Sequence, residues 1–150
     1  MPDEPILVCY DGSDNSRRAI EVAASLLGSR RAVVLDVGPT LTRGESLVAM
    51  TAGVSGTELE QMNVDDALSL ATEGAELAHR AGFSAEARST VATPSWEGIV
   101  EVADEIDAPL IVIGSSGLRG IRELVEGSTS HDVAEHAGRA MLIVPPAGDG

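Results

Sequence analysis

The sequence predicts an α/β protein built around a mostly parallel β-sheet. Five short apolar segments alternate with segments of helical periodicity, which gives the element order βαβαβαβαβ. Hydrophobic residues make up 43% of the chain but aromatic residues only 2%, so the core must consist of Ala, Val, Leu and Ile. This composition suits a parallel sheet that is covered by helices. At 150 residues, we expect one domain with one core.

The predicted strands are short aliphatic segments, typical of strands that are buried on both faces. Most are continuous apolar runs, whereas the third alternates weakly between apolar and polar residues. They span residues 5–10, 32–37, 83–91, 109–113 and 140–144.

Glycine, proline and hydroxyl residues mark the ends of the predicted helices. Gly28 ends the first helix, which presents small and aliphatic residues at helical spacing. Thr57 and Glu60 have capping-box spacing, and the helix that begins there ends at Gly82. Pro94 lies just inside the start of the next helix, and residues 132–137 predict the last one.

Residues 38–56 show neither a helical nor a strand period. The segment contains Gly44, Gly53 and Gly56, with small and hydroxyl residues between them. We predict a long, mobile loop, and loops of this length in compact domains are often functional.

The charge of the chain excludes several classes of protein. The formal net charge is −14 and all ten basic residues are arginine. Such a surface repels nucleic acid and anionic membranes, so we expect neither as a partner. The absence of lysine excludes a Walker P-loop and a phosphorylated receiver domain. The single cysteine, Cys9, lies in the first strand, where we predict a core residue.

The beginning and the hydropathy of the chain predict a cytoplasmic protein. The first residues carry no basic region followed by an apolar one, the pattern of a secretory leader. No apolar run approaches the ~18 residues of a membrane span.

The segment after the fourth strand has the composition of an anion cradle. Glycines at 114, 117 and 127 are followed by three hydroxyl residues and then by the last helix. Glycine allows the backbone to approach a phosphate closely, and the first N–H groups of a helix point towards it. Arg119 and Arg122 lie in the same segment. The alternative is a flexible strand-to-helix loop whose arginines are solvated charges.

A second group of polar residues follows the first strand, at Asp11-Gly12-Ser13. Ligands of open parallel sheets bind at the carboxyl ends of strands, where the strand order reverses. If the first and fourth strands are neighbours there, Asp11 faces the glycine-rich segment across one crevice. Asp11 can accept hydrogen bonds from a ribose or a base amine. Its alternative role is to cap the following helix, although Ser13 can do this instead.

Three motifs together resemble the universal stress protein family. They are the spacing Gly114-x2-Gly117-x9-Gly127-Ser128, the Asp11 segment, and the close Ser130-x2-Val133-x2-His136-Ala137. The resemblance extends over essentially the whole chain. It implies a single universal stress protein domain over residues 1–150, with an open, Rossmann-like parallel sheet of five strands. The implied strand order is 3-2-1-4-5, with helices on both faces.

The glycine motif places the chain with the ATP-binding branch of this family. The implied ligand is ATP, alone or with Mg²⁺, for which no ligating residue can be named. The implied site combines residues of the first strand end, the second strand, the fourth strand and the glycine segment. These residues are Tyr10, Asp11, Val37, Ile113, Gly114, Ser116, Gly117, Gly127, Ser128, Thr129 and Ser130.

The chain departs from the family pattern at two positions. Asp36 stands on the second strand where the family often has His, and Thr93 replaces a common Gly after the third strand. Neither belongs to the glycine motif, but Asp36 adds negative charge near the implied purine pocket.

Three functions remain open from the sequence. The first is a regulatory module of the stress response whose nucleotide state controls a partner. The second is a weak ATPase or an adenylyl-transferring enzyme, for which no catalytic residue can be nominated. The third is a structural dimer with a degenerate nucleotide site. In this family the last strand, Ala140–Val144, typically pairs across a two-fold axis, so we expect a homodimer.

Overall fold

The structure is a computed structural model that describes residues 4–115 and 129–147. Its strands form one sheet in the order β3-β2-β1-β4-β5, which confirms the expected Rossmann-like topology. The strands are β1 (Ile6–Cys9), β2 (Arg31–Gly38), β3 (Ser84–Val91), β4 (Leu110–Gly114) and β5 (Ala140–Val144). The helices are α1 (Asp14–Leu27), α2 (Arg43–Thr51), α3 (Gly56–Ala81), α4 (Ser95–Glu105) and α5 (Thr129–His136).

All strand pairs are parallel, and β1 is the central strand. Ile6 pairs with Ala32 of β2 on one side, and Leu7 pairs with Ile111 of β4 on the other. The chain leaves β1 towards β2 and later crosses back to β4, so the strand order reverses between β1 and β4. The carboxyl ends of these two strands therefore form the switch point of the sheet.

Two mainly aliphatic layers cover the faces of the sheet, and the layer with α1 and α3 also contains the buried aromatic residues Tyr10 and Phe83, so the core is not built from Ala, Val, Leu and Ile alone. Alternate residues of β1 point to opposite layers. Ile6 and Val8 pack in the layer with α1 and α3, whereas Leu7 packs in the layer with α4 and α5. All three are fully buried, as the apolar sequence of this strand predicts.

The ends of α1 follow the predicted capping chemistry. The Ser13 side chain accepts a hydrogen bond from the backbone N–H of Ser16, and so caps the start of the helix. At the other end, Gly28 has a positive φ of 74° and donates its N–H to the Ala24 carbonyl. The predicted stops at Gly28 and Gly82 are both confirmed.

The prediction of a loop over residues 38–56 is wrong, because this segment contains α2. Thr42 and Glu45 form a capping box at its start. Among the α2 residues only Ala49 is buried, while Leu47, Val48 and Met50 are exposed. The helix therefore lacks the inward-facing apolar stripe by which sequence periodicity detects helices.

Three predicted helix starts are also displaced, and one of them is that of α5, which begins at Thr129 rather than at residue 132. Helix α3 begins at Gly56, and Ser55 rather than Thr57 caps it, by accepting from the Glu58 N–H. The sequence offers a hydroxyl residue on each side of Gly56, and the first one, Ser55, is used. Pro94 is the N-cap residue of α4 rather than a residue inside it, and makes no side-chain capping bond.

Within the described residues, no helix is long and apolar enough to cross a membrane.

Gly74 provides a test of how tightly α3 packs on the sheet. A Cβ at this position would lie 2.7 Å from two ring carbons of Tyr10 and 2.8 Å from Val34 Cγ1. We expect Gly74→Ala to lower the free energy of unfolding by about 1–3 kcal/mol, because overpacking outweighs the better helix propensity of alanine. Urea denaturation followed by circular dichroism measures the change.

Gly44→Ala is the matched control for this experiment, since Gly44 also lies in a helix. Its added Cβ would meet only Thr42 Oγ1, at 4.0 Å. The control should be unchanged or more stable by up to about 1 kcal/mol. Equal unfolding midpoints for the two variants would contradict the close packing of α3 on Tyr10.

Candidate functional site

The candidate site lies where β1 and β4 end side by side. Beyond β1, the backbone N–H of Tyr10 still donates to the Leu35 carbonyl of β2, at 3.0 Å. Beyond β4, the Ser115 N–H donates to the Val144 carbonyl of β5, at 2.9 Å. These two hydrogen bonds continue the pairing of β1 with β2 and of β4 with β5 by one residue beyond the ends of β1 and β4. The switch point predicted from the sequence is thus present in the fold.

Asp11 lies in the tight connection between β1 and α1, with an exposed side chain. Its Oδ1 accepts a hydrogen bond from the Ser13 N–H at 2.9 Å, while the Ser13 side chain caps the helix. Desolvation by the surrounding protein atoms raises the pKa of Asp11 although its side chain is solvent-accessible, but hydrogen bonds from Ser13 and Ser16 outweigh this effect and hold the pKa below its ordinary value. Asp11 is therefore not the N-cap and is ionised at neutral pH.

Gly114 is required by packing within the protein. A Cβ on this residue would lie 2.7 Å from Nδ2 of Asn15, a buried residue of the first turn of α1. The same Nδ2 donates to the Val144 carbonyl at 3.1 Å. Asn15 thus joins the start of α1 to the ends of β4 and β5, and leaves no room for a side chain at position 114.

The side chain of Tyr10 is buried and forms a hydrogen bond within the protein. It is 1% exposed, and its hydroxyl donates to Oε2 of Glu73 on α3. Burial and the hydrogen bond to Glu73 raise the pKa of Tyr10 to about 12. Arg17 lies 3.9 Å from the same carboxylate and also pairs with Asp14. The predicted role of Tyr10 at a ligand could therefore be fulfilled only by its backbone.

The end of β2 contributes two residues of different character. Val37 is partly buried and packs in the layer with α4, where a Cβ on Gly98 would lie 3.1 Å from it. The neighbouring Asp36 is partly buried, and its pKa is raised to about 6 by burial and by the charge of Asp11. The carboxylates of Asp11 and Asp36 therefore interact at the β1–β2 side of the switch point.

The remaining described site residues lie on β4 and α5. Ile113 is 6% exposed and belongs to the layer with α4 and α5. Helix α5 begins at Thr129, with Ser130 buried in its first turn, so two predicted phosphate ligands stand at a helix start. The other predicted residues lie outside the described part of the chain: Ser116, Gly117, Gly127, Ser128, Arg119 and Arg122.

Cys9 is a packed residue of the layer with α4 and α5. Burial, with smaller contributions from Asp11 and Asp36, raises the pKa of its thiol to about 12. The thiol is therefore protonated at neutral pH and is a poor nucleophile. Among the described residues, no group of three or more His, Cys, Asp or Glu side chains could hold a metal ion.

Sequence reasoning did not find two of the contacts that shape this region. One is the Asn15 amide against Gly114, and the other is the Glu73 carboxylate on the Tyr10 hydroxyl. Each joins residues far apart in the chain. The only local signal was the polar residue Asn15, two positions after the candidate cap Ser13.

Comparison with known proteins agrees with this architecture. The model of the universal stress protein family matches residues 4–145. Universal stress protein YxiE from Bacillus subtilis (strain 168) is 30% identical over 148 residues, which cover 93% of this chain and 97% of that protein. The chain belongs to the universal stress protein family.

Solved structures share the fold along nearly the whole chain. The hypothetical protein MJ0577 superposes with a TM-score of 0.76 at 20% identity, covering 99% of this chain and 100% of its own. A universal stress protein in complex with cAMP superposes with a TM-score of 0.64 at 26% identity, covering 96% of this chain and 98% of its own. One structural neighbour at this level of identity is therefore bound to a nucleotide.

The raised pKa of Asp36 predicts a specific dependence of stability on pH. Its pKa in the folded state is about 6, above the ordinary value of 3.8, so the folded state binds the proton more tightly than the unfolded state. This contribution to stability is complete below about pH 4 and is lost as the pH rises through about 6. Asp36→Asn removes the free-energy cost of ionising this partly buried carboxyl. The variant should therefore be more stable than wild type at pH 7 by about 1–2 kcal/mol, after allowance for solvent screening.

Urea denaturation of both proteins at pH 4.5 and pH 7 measures this difference. The advantage of Asp36→Asn should be larger at pH 7 than at pH 4.5. Asp66→Asn removes an exposed carboxylate from α3 and should show no such pH-dependent advantage. If the advantage of Asp36→Asn were the same at both pH values, the carboxyl of Asp36 would not have the raised pKa.

Proposed function

We propose that this chain binds an adenine nucleotide, with ATP as the first candidate, and acts as a nucleotide-dependent regulatory module of the stress response. The proposal rests on one observation: β1 and β4 are neighbouring parallel strands, so their carboxyl ends lie side by side at the switch point of the sheet. This is the position at which open parallel sheets bind ligands. The start of α5 supplies backbone N–H groups of the kind that bind phosphate.

The proposed nucleotide lies with its nucleoside on the β1–β2 side and its phosphates on the β4–α5 side. Asp11, Val37 and the backbone of Tyr10 would contact the nucleoside, and Ile113 would form an apolar wall.

The phosphates would be contacted by Gly114, Thr129 and Ser130, together with the sequence-predicted Ser116, Gly117, Gly127 and Ser128. This orientation keeps the anionic phosphates away from the two carboxylates of Asp11 and Asp36.

A structural neighbour supports the class of ligand. The universal stress protein that superposes at 26% identity is in complex with cAMP, an adenine nucleotide. The glycine spacing of this chain then favours a ligand with a longer phosphate chain, because it provides three glycines and three hydroxyl residues at that end. Bound ATP could be accompanied by Mg²⁺, held through its phosphates.

Nucleotide binding can be tested by isothermal titration calorimetry with ATP. We expect saturable binding by wild type, and no binding by Gly127→Glu, because its added bulk and negative charge oppose a phosphate at the glycine motif. Gly44→Ala, a glycine substitution in α2, is the control and should bind like wild type. Circular dichroism checks that Gly127→Glu is folded.

The absence of saturable heat with wild type at millimolar ATP would contradict the proposal. Mass spectrometry of small molecules released from the denatured protein provides an independent readout. We expect an adenine nucleotide in the wild-type sample at a higher level than in the Gly127→Glu sample. If wild type released phosphate or pyrophosphate from ATP faster than Gly127→Glu does, this would instead indicate an enzyme.

We further propose that two copies of the chain pair through β5. This strand lies at one edge of the sheet, and in the described residues it pairs only with β4. It is wholly apolar, and Ile143 is 41% exposed. Exposed apolar edge strands are prone to association unless another element covers them. A second β5 would provide this cover.

Light scattering with size-exclusion chromatography tests the dimer. Wild type at micromolar concentration should show twice the 15.4 kDa mass of one chain. Ile143→Lys places a charge on the edge and should shift the mass towards the monomer without loss of circular dichroism. The control is Leu26→Lys, which changes an apolar residue of α1 that is also exposed, to 66%. A monomeric wild type would overturn this proposal.

A further inference from the structure

Helix α2 has its apolar residues on the wrong side for a helix that packs on a protein. Its buried residue is the small Ala49, whereas the large side chains of Leu47, Val48 and Met50 are 60%, 70% and 69% exposed. At about 100° per residue, Leu47 points almost directly away from Ala49, and Val48 and Met50 lie on either side of Leu47. The apolar face of α2 is therefore turned outward, the reverse of an ordinary amphipathic surface helix.

No described residue covers this outward face. Helix α2 packs against α3, and the Val54 N–H donates to the Ala49 carbonyl at 2.8 Å, which turns the chain directly into α3. Of the seven large apolar side chains exposed in the described part of the chain, five lie between positions 47 and 68. Single exposed apolar residues are normal on a protein surface, but such a concentration marks an interaction surface.

The outward face belongs to a helical hairpin that projects beyond the sheet. Helix α3 runs antiparallel to the strands, and Asn63 is level with the end of β2. Its Nδ2 donates to the Pro39 carbonyl at 3.0 Å, and a Cβ on Gly38 would lie 3.0 Å from its carbonyl oxygen. The seven residues of α3 before Asn63 therefore extend about 10 Å past β2, and no residue of α3 before Ala67 is buried. We call residues 43–66 the α2–α3 hairpin.

The α2–α3 hairpin is strongly acidic. It contains one arginine, Arg43, against five carboxylates, so its net charge is −4. None of the five forms an ion pair with a described residue, and the two that accept hydrogen bonds from other residues do so from the Thr42 N–H and the Gln61 amide. The carboxylates are Glu45, Glu58, Glu60, Asp65 and Asp66. The hairpin thus combines an open apolar face with uncompensated negative charge.

We propose that the outward face of α2 binds a basic amphipathic helix of another protein. Leu47, Val48 and Met50 would contact the apolar face of that helix, and the carboxylates of the hairpin would pair with its lysine and arginine residues. The flexible, polarizable side chain of Met50 suits a surface that adapts to its partner.

The charge of the hairpin disfavours other occupants. A second copy of the chain would bring the same excess of negative charge to the contact, so like charges would oppose self-association through α2. Anionic lipid and nucleic acid are repelled by a chain of net charge −14. A cationic partner with an apolar face is the one that satisfies both properties of the hairpin.

This inference does not rest on the proposed function. None of the three outward residues of α2 is assigned to the nucleotide, and the binding test contains no ATP. The hairpin and the switch point lie at the same end of the sheet, where α3 begins beside the end of β2. A regulatory module would therefore present its partner surface at the end of the sheet that carries the candidate nucleotide site.

The test uses a fluorescein-labelled peptide of about 15 residues, in which leucine and lysine repeat with helical periodicity. Fluorescence anisotropy with wild type should show saturable binding in the micromolar range. The double variant Leu47→Gln/Met50→Gln should weaken it by about 10-fold or more, because two large apolar side chains no longer become buried against the peptide. Glutamine preserves the helix propensity of α2. Leu26→Gln, which changes a 66% exposed residue of α1, should bind like wild type.

The contribution of charge is tested separately. Glu58→Gln with Glu60→Gln removes two carboxylates of the hairpin and should weaken binding by about 2- to 10-fold at low salt. The matched control is Glu21→Gln with Glu101→Gln, which removes two exposed carboxylates from α1 and α4 and should weaken binding less. Equal losses for the two pairs would mean that the total charge of the protein, and not the hairpin, attracts the peptide, contrary to the inference.

Two altered peptides test the chemistry of the partner. A peptide of the same composition in scrambled order has no apolar face, and a peptide with glutamate in place of lysine has the opposite charge. Both should bind wild type at least about 10-fold more weakly than the original peptide. If the scrambled peptide bound equally well, only a general attraction between opposite charges would remain and the inference would be wrong.

The stability and mass of Leu47→Gln/Met50→Gln identify the other occupants. Because the outward face is exposed, its urea midpoint should equal that of wild type. A clearly lower midpoint would show that the chain itself covers this face. A smaller mass than wild type in light scattering would show that a second copy covers it. Either result, or an unchanged affinity for the peptide, would refute the inference while leaving the ATP titration of the proposed function unaffected.

Discussion

Burial of the central strand β1 is the constraint on which the rest of the structure depends. Ile6, Leu7 and Val8 are fully buried, with one helical layer on each face and a parallel strand on each edge. Burial on both faces requires a continuous apolar sequence and parallel neighbours joined by crossover helices. The reversal of strand order beside β1 follows from this arrangement, and it places the residues after β1 and β4 at one crevice.

The glycine that ends β4 shows how stability and function share the same residue. Gly114 was singled out because glycine allows a phosphate to approach the backbone, yet the structure requires it because the Asn15 amide occupies the space of a Cβ. The same amide donates to Val144 at the end of β5. The candidate nucleotide site is therefore joined directly to the sheet edge at which a second copy is proposed to pair.

Local sequence patterns predicted those features that local interactions determine. The five strands and the stops at Gly28 and Gly82 each depend on residues within one element, whereas the cap of α1 stayed open between Asp11 and Ser13 until the structure showed Ser13. Helix α2 was missed because only Ala49 of this helix is buried, so no apolar stripe marks it. The start of α3 was displaced because Ser55 and Thr57 are both good caps, and sequence alone does not choose between them.

The sequence by itself determined the fold class, the positions of the strands, and the glycine and hydroxyl residues that can surround a phosphate. Only the tertiary structure decided what each site residue touches. It placed the Tyr10 hydroxyl on Glu73 and the Gly114 backbone against Asn15, and it partly buried Asp36 where the charge of Asp11 raises its pKa. These partners lie far apart in the chain and meet only when the sheet and its helices pack together. Their burial and mutual charge, and hence the raised pKa of Asp36, are properties of that packing.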